Sequence, residues 1–326
     1  MKALCCKTLD GPNSLSIEDI DTPEVGAGMV RVAVHAAALN FPDVLITQGK
    51  YQIKPDLPFT PGGEGAGVID RVGEGVDHLS VGDRVLFTAS HGAFADFAVV
   101  PAAMCLPIPD VMDFKSAAAL TITYGTSYHA LKQRADLKAG ETVAVLGAAG
   151  GVGLATIELA KAMGARVIAC ASTDEKLSVC QETGADHLLN YNETELKAGL
   201  KSAAPKGVDV VYDPVGGDFS EAAIRALAVG SRHLVIGFAA GVIPAVPLNL
   251  TLLKQCQIVG VFWGAWAMAN PKLHHQNMQD LFDMFTRGQI KPRVKDIYPL
   301  EDFQAAYACL TERRVKGKVV FTFNGD

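Results

Sequence analysis

A turn of glycines carries the first residues in this 326-residue chain whose types and spacing could do chemistry. Leu146-Gly147-Ala148-Ala149-Gly150-Gly151-Val152-Gly153 follows the apolar run Thr142-Val143-Ala144-Val145-Leu146. It precedes a segment in which Val152, Ala155, Thr156, Leu159 and Met163 recur at helical spacing. This is an altered G-x-G-x-x-G fingerprint, with Ala148 in the first glycine position and Gly150 and Gly153 in the other two. Glycines at a strand-to-helix turn let backbone N–H groups and the helix N-terminus approach a pyrophosphate. Ala149, Gly150, Gly151, Val152 and Gly153 are therefore expected to bind a dinucleotide, although a plain tight turn would use the same glycines.

Which dinucleotide depends on the end of the second strand. An NAD site usually carries Asp or Glu about 20 residues on, bonded to the ribose 2′-hydroxyl. Here the strand ends Cys170-Ala171-Ser172-Thr173-Asp174-Glu175-Lys176, and the expected position of the acid is Ala171. Without a carboxylate at that place a 2′-phosphate is not repelled, and Ser172 and Lys176 can donate to it. NADPH is the expected cofactor. An alternative stands beside this: Ser172 with Glu175 also spells a capping box, and Lys176 could be an ordinary exposed helix residue.

The elements that must position these residues fall into two rhythms. Up to about residue 122 the chain reads as short β-rich runs, such as 29–35, 68–72, 83–87 and 95–100, separated by Gly and Pro clusters. That predicts a small barrel-like domain. From about 124, apolar strands alternate with amphipathic helices, the signature of a doubly wound parallel sheet. Predicted strands there are 142–146, 166–170, 208–212 and 234–236. Beyond about 263 come helices near 279–285 and 303–312 and a last strand at 319–321.

Composition bounds the partners. The chain is 49% hydrophobic and 20% charged, ample for packed cores and too apolar for a disordered chain. A formal net charge of -6 argues against nucleic acid or an anionic membrane as partner. The uncharged stretch 234–253 contains Gly237, Gly241, Pro244, Pro247 and Asn249, so it reads as a strand and a turn-rich loop rather than a membrane helix. No stretch at the start has signal-peptide character. Seven scattered cysteines without a Cys-x-x-Cys pair suit a reduced cytoplasmic protein.

Taken together, these blocks resemble the medium-chain dehydrogenase/reductase superfamily. The likeness is strongest to its zinc-free NADPH:quinone oxidoreductase branch, the zeta-crystallin-like family, and runs over essentially the whole chain. The matching blocks are Ala38-Leu39-Asn40-Phe41-Pro42-Asp43, Pro58 to Gly67, Val81-Gly82-Asp83-Arg84-Val85, the glycine turn, Tyr212-Asp213-Pro214-Val215-Gly216-Gly217, and Gly317-Lys318-Val319-Val320. The resemblance implies an α/β fold in which a Rossmann doubly wound sheet (124–262) joins a GroES-like β-barrel catalytic domain (1–123 and 263–326). It also implies an active site in the cleft between them.

Against the zinc alcohol dehydrogenases, the resemblance puts Asn40 where a ligand cysteine stands, Gly62-Gly63-Glu64 where Gly-His-Glu stands, and Ile122 near a second ligand cysteine. Zinc needs a tight shell of Cys, His or carboxylate donors, so no catalytic metal is expected. The resemblance further places Thr126, Tyr128, Tyr191, Gly237, Phe238, Phe262 and Trp263 along the cofactor, and Arg313 at the 2′-phosphate. Arg313 lies beside Arg314 and Lys316, so a solvated basic edge also explains it.

Without a metal, an unactivated ketone is a poor hydride acceptor. In an enone, enoyl thioester or quinone, the added charge moves to an oxygen that one or two hydrogen-bond donors can stabilise. The candidate donors are Asn40 and Tyr51. The run Gln48-Gly49-Lys50-Tyr51 also resembles 2-enoyl thioester reductases whose tyrosine protonates the enolate; alternatively Asn40 makes a local turn before Pro42 and Tyr51 packs a loop. The expected activity is zinc-independent, NADPH-dependent reduction of a quinone or α,β-unsaturated carbonyl. Reduction of 2-enoyl thioesters is the alternative, and an NADPH-binding protein with little turnover the third reading. The apolar run 258–263 suggests an edge strand that pairs with its twin in a homodimer.

Overall fold

The protein is described by a computed structural model covering residues 1–323. In chain order the elements begin with β1 (Lys2–Cys5), β2 (Ser16–Asp19), β3 (Met29–Leu39), α1 (Phe41–Thr47), β4 (Glu64–Val72), β5 (Arg84–Thr88), β6 (Phe97–Pro101), β7 (Cys105–Pro107) and α2 (Phe114–His129). They continue with β8 (Thr142–Leu146), α3 (Gly151–Ala162), β9 (Arg166–Ala171), α4 (Asp174–Glu182), β10 (His187–Asn190), α5 (Leu196–Ala203), β11 (Val208–Asp213), α6 (Asp218–Arg225) and β12 (Leu227–Val235). The last are α7 (Asn249–Lys254), β13 (Gln257–Gly260), α8 (Trp263–Ala269), α9 (Pro271–Thr286), β14 (Val294–Pro299), α10 (Phe303–Thr311) and β15 (Lys318–Thr322).

The chain divides into two compact units, Met1–Ile122 with Lys291–Asp326, and Thr123–Ile290. The return to the first unit was expected at 263. It comes at 291, because α8 and α9 pack with the second unit: the Trp263 ring lies where a side chain at Gly125 of α2 would stand, and Trp266 stacks on His129 at 4.0 Å.

In the first unit the main sheet runs β14-β15-β3-β4-β5-β7, with β6 also paired to β3. Strand β3 is its spine. Its burial alternates from Met29 to Ala36, one face to the core, and then Ala36 to Leu39 are buried throughout. The C-terminal β15 pairs antiparallel with that buried end, Val319 opposite Leu39. Leu4, Val32, Val34, Phe87, Phe94 and Phe321 are among the side chains of one core.

The second unit has a six-stranded sheet of order β10-β9-β8-β11-β12-β13, all neighbours parallel. This is the doubly wound Rossmann order, with its switch point between β8 and β11. Strands β8, β9 and β11 are buried along nearly their whole length, which is why they read as unbroken apolar runs. The stretch 234–253 forms the end of β12, an irregular loop and part of α7. Among the described residues no helix is long and apolar enough to cross a membrane.

Candidate functional site

The glycine turn is built for close approach. Gly150 stands at the N-cap of α3 in an extended conformation, with no side-chain cap on the helix N–H groups. A Cβ on Gly153 would lie 2.5 Å from Ala148 O, so only glycine lets the helix start this close to the turn. The arrangement leaves backbone donors for an anion, which is what a pyrophosphate needs.

At the end of β9 the helix N-cap is Thr173, not Ser172. The Thr173 hydroxyl accepts from Lys176 N at 3.3 Å, so α4 begins one residue later than a Ser172 cap requires. Ser172 is thereby released from capping. Its Oγ accepts from Lys176 Nζ at 3.3 Å, and a hydroxyl that accepts still has its own proton to donate. The ring of Tyr191 packs on Phe219, centroids 4.8 Å apart.

Asp213, at the end of β11, is a hub to which its sequence neighbourhood assigns no role. Its buried carboxylate accepts from Val215 N and Gly216 N, both at 2.9 Å, and from Ser220 Oγ at 2.6 Å, and it pairs with His233 Nε2 at 3.2 Å. Burial works to raise its pKa. The donors around it, His233 foremost, more than offset that and hold it below the usual carboxylate range. Its backbone carbonyl accepts from Ile236 N at 2.9 Å and Gly237 N at 3.4 Å, so the same residue sets the loop that carries Gly237 and Phe238.

Three residues expected along the cofactor, Tyr128, Trp263 and Arg313, have the following settings. Tyr128 is buried, and its hydroxyl donates to Asp280 Oδ2 of α9 at 2.9 Å while accepting from Lys132 Nζ at 3.1 Å. Trp263 is also buried, on Gly125, and opens α8 rather than ending a strand; β13 stops at Gly260. Both pack helices. Arg313 belongs to the first unit, in a left-handed conformation (φ 58°) just after α10. Thr126 lies in α2, Phe238 is partly exposed and Phe262 is exposed.

In the first unit the residues around Asn40 form a buried polar cluster. Glu64 opens β4 and is fully buried; its Oε1 accepts from Asn40 Nδ2 at 2.9 Å and Lys318 Nζ at 2.8 Å, and its Oε2 from Ile122 N at 2.6 Å. Asn40 also donates to Ala38 O at 3.1 Å, and its Oδ1 accepts from Lys318 Nζ at 2.5 Å. The third N–H of Lys318 goes to Leu39 O at 3.3 Å. Asn40 was expected to donate to a substrate oxygen. Both of its amide N–H groups are engaged inside the cluster, with Ala38 O and Glu64 Oε1.

Lys318 is the residue that sequence reasoning missed. The pair Gly317-Lys318 belongs to a family motif, but nothing in its local sequence signals where the ammonium goes. Gly317 explains the local path: at φ 110°, a Cβ there would fall 2.4 Å from Arg293 O.

Asp43, in α1, borders this cluster. It is buried, accepts from Asn40 N at 2.7 Å, and burial pushes its carboxyl up to about 7 against the pull of that N–H and of the Lys318 charge. Tyr51 is half-buried against the same core, and burial, then the nearby Asp43, push its phenol up. A neutral phenol beside a water-poor wall can donate a proton to an oxygen that gains charge. No group of three or more His, Cys, Asp or Glu residues that could hold a metal occurs among the described residues.

These two units are those of a known class of oxidoreductase. The family model for the alcohol dehydrogenase GroES-like domain matches residues 26–110, and that for zinc-binding dehydrogenases matches 151–285. A quinone oxidoreductase-like protein 2 homolog from Nematostella vectensis is 39% identical over 324 residues, covering 98% of this chain and 88% of the relative. Rat quinone oxidoreductase is 34% identical, covering 94% and 93%. The Escherichia coli quinone oxidoreductase, solved in complex with NADPH, superposes with a TM-score of 0.92 at 28% identity, covering 99% and 100%. The chain belongs to the quinone oxidoreductase family of the medium-chain dehydrogenase/reductase superfamily.

Proposed function

We propose that this chain is an NADPH-dependent reductase that delivers hydride to a quinone or an α,β-unsaturated carbonyl, with amino-acid donors and no metal ion at the acceptor. The observation that carries this reading is the Asn40–Glu64–Lys318 cluster. The three positions that resemble a zinc-ligand set are an amide, a glycine and an isoleucine. The neighbouring carboxylate of Glu64 is already held by three N–H donors, one of them on an ammonium. Zinc is not suited by these residues. Chemistry that needs no Lewis acid, addition to an already conjugated acceptor, follows.

The dinucleotide fits the second unit. The uncapped start of α3 and the clearance kept by Gly153 suit a pyrophosphate, while Ser172 and Lys176 present donors to a 2′-phosphate. Quinone oxidoreductases of E. coli and Thermus thermophilus, both solved with NADPH, share the fold. When bound, NADPH supplies the hydride. The Asp213 hub fixes the loop of Gly237 and Phe238, and Thr126, Tyr191, Phe262 and Arg313 complete the proposed cofactor contacts. In the first unit the cluster holds α1 and its following loop, and the Tyr51 hydroxyl gives its proton to the charged oxygen or enolate carbon of the reduced acceptor.

Reduction of 2-enoyl thioesters is the second reading, favoured by Tyr51, whose phenol is perturbed only by burial and Asp43. NADPH oxidation with 1,4-benzoquinone, an enone and a crotonyl thioester, under anaerobic conditions, separates the readings. Turnover with none of them, or with NADH as well as with NADPH, refutes the corresponding part.

We further propose a homodimer. Strand β13 is the edge of its sheet, Ile258 on it is 41% exposed, and Leu252 and Leu253 of α7 are 77% and 68% exposed. A reducing cytoplasmic setting suits the seven cysteines, all buried and unpaired.

A further inference from the structure

The first turn of α4 carries two carboxylates, Asp174 and Glu175, closely following the Ser172 assigned to the 2′-phosphate. Acids in that turn are favourable to the helix, whose N-terminal N–H groups attract negative charge. They are unfavourable to a phosphate bound beside them. A site for NADPH at this place therefore needs some device that deals with the nearest carboxylate.

The structure contains one. Asn190, the last residue of β10, donates Nδ2 to Asp174 Oδ1 at 2.9 Å. The orientation of that amide is set by Asn192 N, which donates to Asn190 Oδ1 at 3.1 Å. Asn192 in turn donates Nδ2 to Ser172 O at 2.7 Å, and Tyr191 N donates to Ala171 O at 3.1 Å. Three consecutive residues thus clamp the loop between β9 and α4, and one of the clamps ends on the acid itself.

We propose that Asn190 is a specificity-determining residue: by tying the Asp174 carboxylate to the end of β10, it keeps that charge from the 2′-phosphate and preserves the preference for NADPH over NADH. The inference rests on the NADPH reading. Released, Asp174 is three residues beyond Ala171, where an NAD site carries its acid, and is free to swing towards the ribose. It would then repel a 2′-phosphate and tolerate or bond a 2′-hydroxyl.

Calorimetric titration of the full chain with 2′,5′-ADP and 5′-AMP tests this without reliance on turnover. The wild type is expected to bind 2′,5′-ADP more tightly. Asn190→Ala should weaken 2′,5′-ADP about tenfold, the scale of one released charge facing a dianion in a solvated site. Binding of 5′-AMP should stay within about twofold, since it lacks the charge that Asp174 would meet. Adding Asp174→Asn to that variant should restore the ratio. Asn190→Asp, which repels Asp174 as well as losing the donor, should lower the ratio at least as far. An unchanged ratio in Asn190→Ala, equal weakening of both ligands, or failure of Asp174→Asn to restore it overturns the inference. A wild type that does not distinguish the two ligands sinks the NADPH reading itself; a wild-type preference that the variants leave unmoved sinks only the role of Asn190.

Discussion

Replacing Lys318 by Met is the most searching test of the polar cluster. The side chains are similar in length, so the change removes an ammonium and little packing. What remains is a Glu64 carboxylate with no exposed surface, left with Asn40 Nδ2 and Ile122 N as donors and no opposing charge at 2.8 Å. Breaking a buried pair from one side costs about 3–5 kcal/mol, because the surviving charge stays desolvated. Asn40 also loses the donor on its Oδ1, which adds about 1 kcal/mol. Removing the other charge as well, in Lys318→Met/Glu64→Gln, should recover about 2 kcal/mol or more, since the neutral amide has no stranded charge to bury. Because the chain has two units, whole-protein melting mixes them. Hydrogen exchange of peptides from β3 and β15, followed through a urea series, reads the first unit alone. A loss below about 1 kcal/mol in the single variant, or a double variant less stable than the single one, would falsify the view that this pair is a mutually dependent buried unit.

Three shorter predictions accompany it. Tyr51→Phe should lower kcat on an enone by roughly 10²–10⁴-fold if the phenol is the proton donor, and a change under about threefold removes it from that role. Asp43 is buried with its carboxyl raised from 3.8 to about 7, so the folded state holds its proton more tightly than the unfolded chain does. The stability this contributes is complete below about pH 4 and is lost as pH rises towards 7, by roughly 4 kcal/mol in total. Asp43→Asn, which keeps an acceptor for Asn40 N, should flatten that slope in urea midpoints taken at several pH values; an identical slope refutes the assignment. Gly153→Ala should abolish measurable binding of 2′,5′-ADP, because its Cβ would meet Ala148 O at 2.5 Å; unchanged affinity would show that the turn is not where the dinucleotide rests.

Local chemistry is legible in the chain itself. The run Thr142–Leu146, the glycines after it and the spacing of Val152 to Met163 describe a strand, a turn and a helix in one short stretch, and β8 and α3 lie there. Each depends only on side chains a few residues apart: unbroken apolar residues for a strand buried on both faces, glycine where a Cβ would strike a carbonyl. The resemblance of the ordered motifs then carried the two-unit architecture. Even locally there was a limit, because Ser172 and Thr173 are both good N-caps and sequence cannot weigh their geometry.

What needed the tertiary structure was where side chains end. Thr126 and Tyr128 sit two apart on α2, yet the Tyr128 hydroxyl is taken by Asp280, a residue 152 positions on. The return of the chain at 291 rather than 263 follows from aromatic packing of α8 on α2, which leaves no periodic trace. Asn40 looked like a free donor because nothing nearby in sequence competes for it. The acceptor that takes it is Glu64 Oε1, 24 residues on, brought beside it by the antiparallel pairing of β3 with β4 and bonded in turn to Lys318 Nζ. Residue type is a local property and decides what a group can donate or accept; whether that capacity is already spent depends on partners that only the folded chain assembles.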